Sequence, residues 1–219
     1  GRRRRDFAGK GPMAASAVRA AGEALGLGYW SLYGALYGLP ESVPVLWDVV
    51  RDAFSAVPGA RVLSDPGAIH PGLWRWRMGM MTGAVADPPG RVSNWLGADA
   101  LTVNPESPID GAEAMNLYGL SRDVLARHGL DYLGETQAVW RFANHRQVLA
   151  RRPGDDREGT ALACARELIA AQAEAGFGQI RADAGLAPIA GEAYATGGAR
   201  TLAARVKQAL DPHSLFAAA

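Results

Sequence analysis

The chain has 219 residues, of which 48% are hydrophobic and 21% charged, and its formal net charge is +1. That length and composition suit a globular chain whose core needs no disulfide or metal staple. The near-neutral balance excludes global steering toward nucleic acid or an acidic membrane, and no apolar run is long enough to cross a bilayer.

Arg2, Arg3, Arg4 and Arg5 form the one dense charge run. No aromatic-interleaved basic patch follows it, so it reads as a solvated loop. No apolar h-region follows it either, so a signal peptide is not expected and a cytoplasmic protein is. Pro12 to Leu27 has helical composition and is closed by Gly26 and Gly28. Tyr29 to Gly38 is aromatic-rich, roughly alternating and glycine-bounded, which predicts a strand. A helix follows from Pro40 to about Val57, with Val45, Leu46, Val49, Val50, Ala53, Phe54 and Val57 on one face. Ala60 to Leu63 reads as a short strand, Ser64 to Pro71 as a loop, and Leu73 to Met81 as a short helix rich in Trp and Met. Asp87-Pro88-Pro89-Gly90 is a strong break.

Asp99 to Asn104 reads as a strand closed by Pro105 and Pro108. Asp110 is placed to cap a helix through His128, with Glu113 at capping-box spacing, and Gly129 ends it. Asp131 to Phe142 and His145 to Arg151 read as an antiparallel pair. After a turn at Pro153 to Asp156 come a helix over Thr160 to Ala175, a strand over Gly176 to Ala182 and a last helix from Gly198 to Leu210. The pattern predicts an α+β fold, a mostly antiparallel sheet flanked by helices.

The chemistry that motifs usually announce is not spelled out. No glycine-rich nucleotide turn, phosphate loop or nucleophile elbow stands in the chain. His70, His128, His145 and His213 are scattered singly, so no metal site is expected. Cys164, the one cysteine, sits in an alanine-rich helical run and reads as a small buried apolar residue.

Four segments carry a family resemblance. They are Gly28 to Gly38 with Val45-Leu46-Trp47 and Asp52 to Gly59; Gly111 to Met115 with Gly129 to Tyr132; Trp140 to His145; and Gly176 to Arg181, followed by Leu210-Asp211-Pro212. In this order they resemble the C-terminal cap-and-tail half of the vanillyl-alcohol oxidase/4-cresol dehydrogenase family of FAD-linked oxidases. The resemblance implies an incomplete cap domain over residues 1–175 and a tail over 176–219 that returns to the FAD domain. It implies that the N-terminal FAD-binding domain is not in this chain. The expected partners are therefore an FAD-binding domain or chain, a small-molecule substrate, and a second copy through the cap. The implied reaction is oxidation of a phenolic or benzylic alcohol by hydride transfer to flavin.

Site residues follow from the same resemblance. Arg181 matches a phenolate-binding arginine, while Ile180 stands where the family has a tyrosine. Asn144 and His145 occupy the place of a histidine pair. Trp140, Thr102, Tyr132 and Arg146 are expected to line the pocket. Ala100 falls at the position of the flavin-linking histidine, so FAD is expected to be bound non-covalently. Packing alone also accounts for Trp140, Tyr132 and His145, and Arg181 could instead pair with Asp183 or a backbone carbonyl. A second reading therefore stands beside the first: a flavin-free, cap-derived binding protein or a non-redox enzyme such as a cyclase or isomerase.

Overall fold

A computed structural model describes residues 4–7, 11–65, 71–84, 100–151, 159–194 and 197–216. The breaks expected at 87–90 and 153–156, and Arg2 and Arg3, lie outside the described residues. The chain forms two compact units: residues 14–91, and residues 1–13 together with 92–219.

The 14–91 unit holds α1 (Ala15–Leu25), α2 (Ser42–Ser55) and α3 (Pro71–Met81). The strand expected over Tyr29 to Gly38 does not form, and residues 31–37 are irregular. A strand needs a hydrogen-bonded neighbour, and none of the described residues supplies one. Tyr33 and Tyr37, four apart, instead tie the segment to α3. Arg77 stacks over the Tyr33 ring at 4.1 Å, and the Tyr37 hydroxyl donates to the Met81 carbonyl at 3.0 Å. Residues 60–63 are also irregular, with Arg61 donating to the Gly26 carbonyl. Helix α2 leaves Val45, Leu46, Val49 and Phe54 exposed.

The second unit is built on a sheet. Its strands are β1 (Ala100–Val103), β2 (Pro105–Pro108), β3 (Gly134–Val139), β4 (Phe142–Ala150) and β5 (Gly178–Gln179), all paired antiparallel. Strand β4 is central. One of its edges carries β3 and the other carries β1 and β2, with β5 beyond β2. The register of β1 on β4 (Val103 opposite Gln147) resumes unchanged in β2 (Glu106 opposite Asn144). Between them the ladder opens, because Pro105 has no N–H to donate. Residues 100–108 thus form one strand with a gap, longer than the stretch ending at Asn104 that the sequence suggests. The β3–β4 turn is Trp140-Arg141, three residues earlier than the sequence suggests.

Helices α4 (Gly111–Arg127) and α5 (Thr160–Glu174) cover one face of the sheet. Asp110 caps α4, its carboxylate accepting from the backbone N–H of Ala112 and Glu113. Both helices end on a left-handed glycine, Gly129 (φ 67°) and Gly176 (φ 85°). The next residue's N–H then turns back to the helix: Leu130 to the Leu125 carbonyl, Phe177 to that of Gln172. Leu130 and Phe177 are both buried, so each cap also directs an apolar side chain inward. Helices α6 (Ala187–Tyr194) and α7 (Gly197–Leu210) complete the unit. Pro188 suits the first turn of α6, where its missing N–H has no helical acceptor.

The core lies between the sheet and α4, α5 and α6. It contains Val103, Leu125, Leu149, Leu168, Ile169, Leu186 and Ile189, each of which contributes about 1.5–3 kcal/mol by leaving water. Cys164 is buried there, and burial pushes its thiol up to about 12, which makes it an inert core residue. The arginine run is not wholly solvated. Arg4 pairs with Asp131, whose other oxygen accepts from the Met13 N–H at 2.6 Å.

One glycine is dictated by close packing. A Cβ at Gly134 would lie 2.5–2.7 Å from the hydroxyl and ring of Tyr132. That ring is held edge-on by Tyr118, with centroids 4.9 Å apart. Gly134→Ala is expected to destabilise the chain by about 1–3 kcal/mol, the usual cost of overpacking. Chemical unfolding of the variant measures this, and an unchanged midpoint would show that Tyr132 swings aside freely.

Candidate functional site

Neighbouring residues of a strand point to opposite faces, and residues directly opposite on paired strands share a face. This rule sorts the site residues. On β4, Ala143, His145, Gln147 and Leu149 are buried against the helices. Asn144, Arg146 and Val148 point the other way. The register adds Ala100 and Thr102 from β1, Glu106 from β2, and Glu135 and Gln137 from β3 to that open face. Ile180 continues β5, its N–H donating to the Asn104 carbonyl at 3.2 Å, and it is 53% exposed.

The structure therefore brings together Thr102, Asn144, Arg146 and Ile180, with Ala100 at the end of the same face. The Asn144 amide nitrogen is shut off from solvent and has no hydrogen-bond partner among the described residues. Such a donor calls for an acceptor from outside the described chain. Arg181 follows directly and is exposed. Its backbone is fixed by the Asn104 side chain, which donates to its carbonyl at 3.0 Å. Its guanidinium makes no ion pair with Asp183 or any other described residue.

His145, Tyr132 and Trp140 are placed elsewhere. Tyr132 packs on the core, and its hydroxyl is pushed up to about 12 by burial, then by neighbouring Tyr118. Trp140, 88% exposed, sits at the β3–β4 turn. His145 is buried behind the sheet between Ser107, 2.8 Å from its Nε2, and Thr136, 3.1 Å from its Nδ1. The Ser107 hydroxyl donates to the Pro108 carbonyl, so its oxygen accepts from Nε2–H. Through these two contacts the imidazole ties β2 and β3 to β4 on either side of Asn144.

Burial holds the His145 pKa below its ordinary value. The folded chain then binds this proton more weakly than the unfolded chain, whose histidine titrates near about 6.5. Stability from this group is flat above about pH 6.5 and falls as pH drops from there toward the folded pKa. We expect the unfolding free energy to fall between pH 7.5 and 5 by less in His145→Gln than in wild type. Parallel pH profiles for the two proteins would mean that His145 is free to charge in place.

Sequence reading missed Glu106, Glu135 and Gln137. The signal for the first was the even spacing of Thr102, Asn104 and Glu106, hidden by reading Pro105 as a strand end.

Comparison with known proteins follows this geometry. No family profile matches the chain. The sequence is 28% identical over 194 residues to the 4-cresol dehydrogenase [hydroxylating] flavoprotein subunit of Pseudomonas putida, covering 88% of this chain. It spans only 37% of that relative's length. The fold is similar to a crystal structure of p-cresol methylhydroxylase with substrate bound, at a TM-score of 0.82 and 25% identity, covering 96% of this chain and 41% of that one. It is also similar to 4-ethylphenol oxidase from Gulosibacter chungangensis in an isoeugenol complex, at a TM-score of 0.81 and 28% identity, covering 96% and 42%.

Proposed function

This chain is a homologue of the 4-cresol dehydrogenase flavoprotein subunit and corresponds to the C-terminal half of such a protein, and from that premise we propose that it works as the substrate-side part of a cytoplasmic FAD-dependent oxidoreductase. The proposed substrates are small para-substituted phenols or benzylic alcohols. The observation that carries the reading is the single sheet face that gathers Thr102, Asn144, Arg146 and Ile180, with Arg181, an arginine that has no ion pair among the described residues, at its edge.

The side chains present fit a flavin held by contacts alone. Asn144 brings a buried donor in need of an acceptor, and Ala100 brings only a methyl group, with no atom to form a link. When bound, FAD supplies the hydride acceptor. Arg181 is assigned to the anionic oxygen of a phenolate, where its guanidinium stabilises ring charge that favours loss of hydride from the para carbon. Asn144 orients the substrate or flavin, and His145 acts through it by fixing its strand. Thr102, Ile180 and Arg146 shape the pocket. Tyr132 supports it from the core side, and Trp140 is left to meet ligand or partner.

The cap over 1–175 and the tail over 176–219 are proposed to dock on an FAD-binding domain or chain, with a second copy as a further partner through the cap. Exposed apolar residues support this. On α7 Leu202, Val206 and Leu210 form a stripe exposed by 64%, 47% and 79%. Patches of that kind mark contact surfaces.

The test is an absorbance spectrum of natively purified material with the intact mass of every polypeptide present. A flavin band accompanying an FAD-domain polypeptide is expected. A colourless, folded, single chain that binds an apolar ligand would overturn the reading in favour of flavin-free chemistry, which the loss of a tyrosine at Ile180 also motivates.

A further inference from the structure

Glu106 stands in the middle of the open face, and nothing derived above uses it. Its direct neighbour on β4 is Asn144, and on β5 it is Gly178. Gln137 lies beyond Asn144 on β3, so one row across the sheet reads Gln137, Asn144, Glu106, Gly178. Gly178 contributes no side chain to that row. Among the described residues a Cβ built there would meet only the Glu106 carboxylate, at 3.7 Å, so they leave space open beside the carboxylate. On the other side lies the Asn144 amide, whose buried nitrogen has no partner among the described residues. Glu106 is half-buried, and no hydrogen bond or ion pair holds it among the described residues.

Among the described residues, charge on the face is not paired at Glu106. Glu135 has Arg146 directly opposite and Arg181 lies at the edge, whereas Glu106 has Asn144 and Gly178 as its direct neighbours and no ion pair among the described residues. An ionised carboxylate only accepts hydrogen bonds, and it favours a cationic donor while repelling an anion. On the reading that this face binds the substrate, we propose that Glu106 is a specificity-determining residue that selects phenols carrying an ammonium group on the para side chain, the phenol oxygen being directed to Arg181. The substrate class is then a small aminoalkyl phenol, anionic at one end and cationic at the other.

Two probes of nearly equal shape test this: 4-(aminomethyl)phenol, cationic at neutral pH, and 4-(hydroxymethyl)phenol, neutral. Their affinities are measured by calorimetry on the purified protein with whatever chain accompanies it. Wild type is expected to bind the ammonium probe about tenfold more tightly, the margin of one charge-assisted hydrogen bond. Glu106→Gln keeps the shape and is expected to reduce that preference below about twofold, chiefly by weakening the ammonium probe. Gly178→Val leaves every charge in place, fills the space beside the carboxylate, and is expected to weaken the ammonium probe. Equal binding of both probes by wild type, or a preference that survives Glu106→Gln, would overturn the proposal while leaving the ligand face intact. Binding of neither probe would remove the ligand face itself, and this proposal with it.

Discussion

Arg181→Ala is expected to lower kcat/KM for a phenolic substrate by about two orders of magnitude, a loss of roughly 3 kcal/mol, as for removal of one preorganised oxyanion donor. The size follows from how the residue is held. The backbone on either side is pinned to Asn104, by the Ile180 N–H at 3.2 Å and by the amide side chain at 3.0 Å. The guanidinium has no ion pair to give up among the described residues, so binding an anion sacrifices no internal contact. Because Arg181 is exposed, its truncation leaves no core cavity, and the unfolding midpoint should stay within experimental error of wild type. Arg181→Lys is expected to recover part of the loss, since it restores charge without the planar fork. Steady-state kinetics on the flavin-containing complex read both variants. A change of only a few-fold in Arg181→Ala would take the residue out of the site.

The largest stability effect is expected at Gln147. This residue is fully buried where the sheet meets α4 and α5. Its amide nitrogen donates to the Ser121 hydroxyl at 2.9 Å, and its carbonyl oxygen accepts from Gln172 at 2.9 Å. Gln172 also donates to Ser121 at 3.1 Å, which closes a triangle of buried polar groups. Gln147→Ala removes two of its three sides, opens a cavity and withdraws an acceptor from Gln172. We expect a loss of about 3 kcal/mol, combining the cavity cost with that of stranded polar groups. Replacing all three members by apolar residues of similar size should cost less than the single substitution, because no donor is then left without an acceptor. Urea unfolding of both proteins decides the matter. A loss below about 1 kcal/mol in Gln147→Ala would mean that water replaces the missing amide.

The helices were legible because their signals are local. Asp110 announces the start of α4, Gly129 and Gly176 end two helices, and the alanine-rich run of α5 has the right period. The strands were less so, since their partners lie far away in sequence. Tyr29 to Gly38 has the composition of a strand, yet Tyr33 and Tyr37 serve α3. Pro105 and Pro108 look like terminators, yet the ladder resumes past the first and runs to the second. The β3–β4 turn falls at Trp140-Arg141, where no glycine or asparagine marks it.

The site was legible as a set of positions and not as a surface. Asn144 and His145 are neighbours in sequence, and the resemblance pairs them. Once both lie on β4 they face opposite sides, so one can touch a ligand on the open face and the other holds the sheet from behind. Glu106 escaped notice for the complementary reason. No motif marks it, and only the register shows that it shares a face with Asn144 and Thr102.

The proposed role of this sheet face is to present a phenolic substrate to a flavin. Anaerobic mixing of the natively purified, flavin-containing complex with a para-substituted phenol, followed at the flavin's visible band, tests it most directly. The band should bleach in wild type and bleach far more slowly in Arg181→Ala. A flavin band that no phenol or benzylic alcohol bleaches would contradict the account.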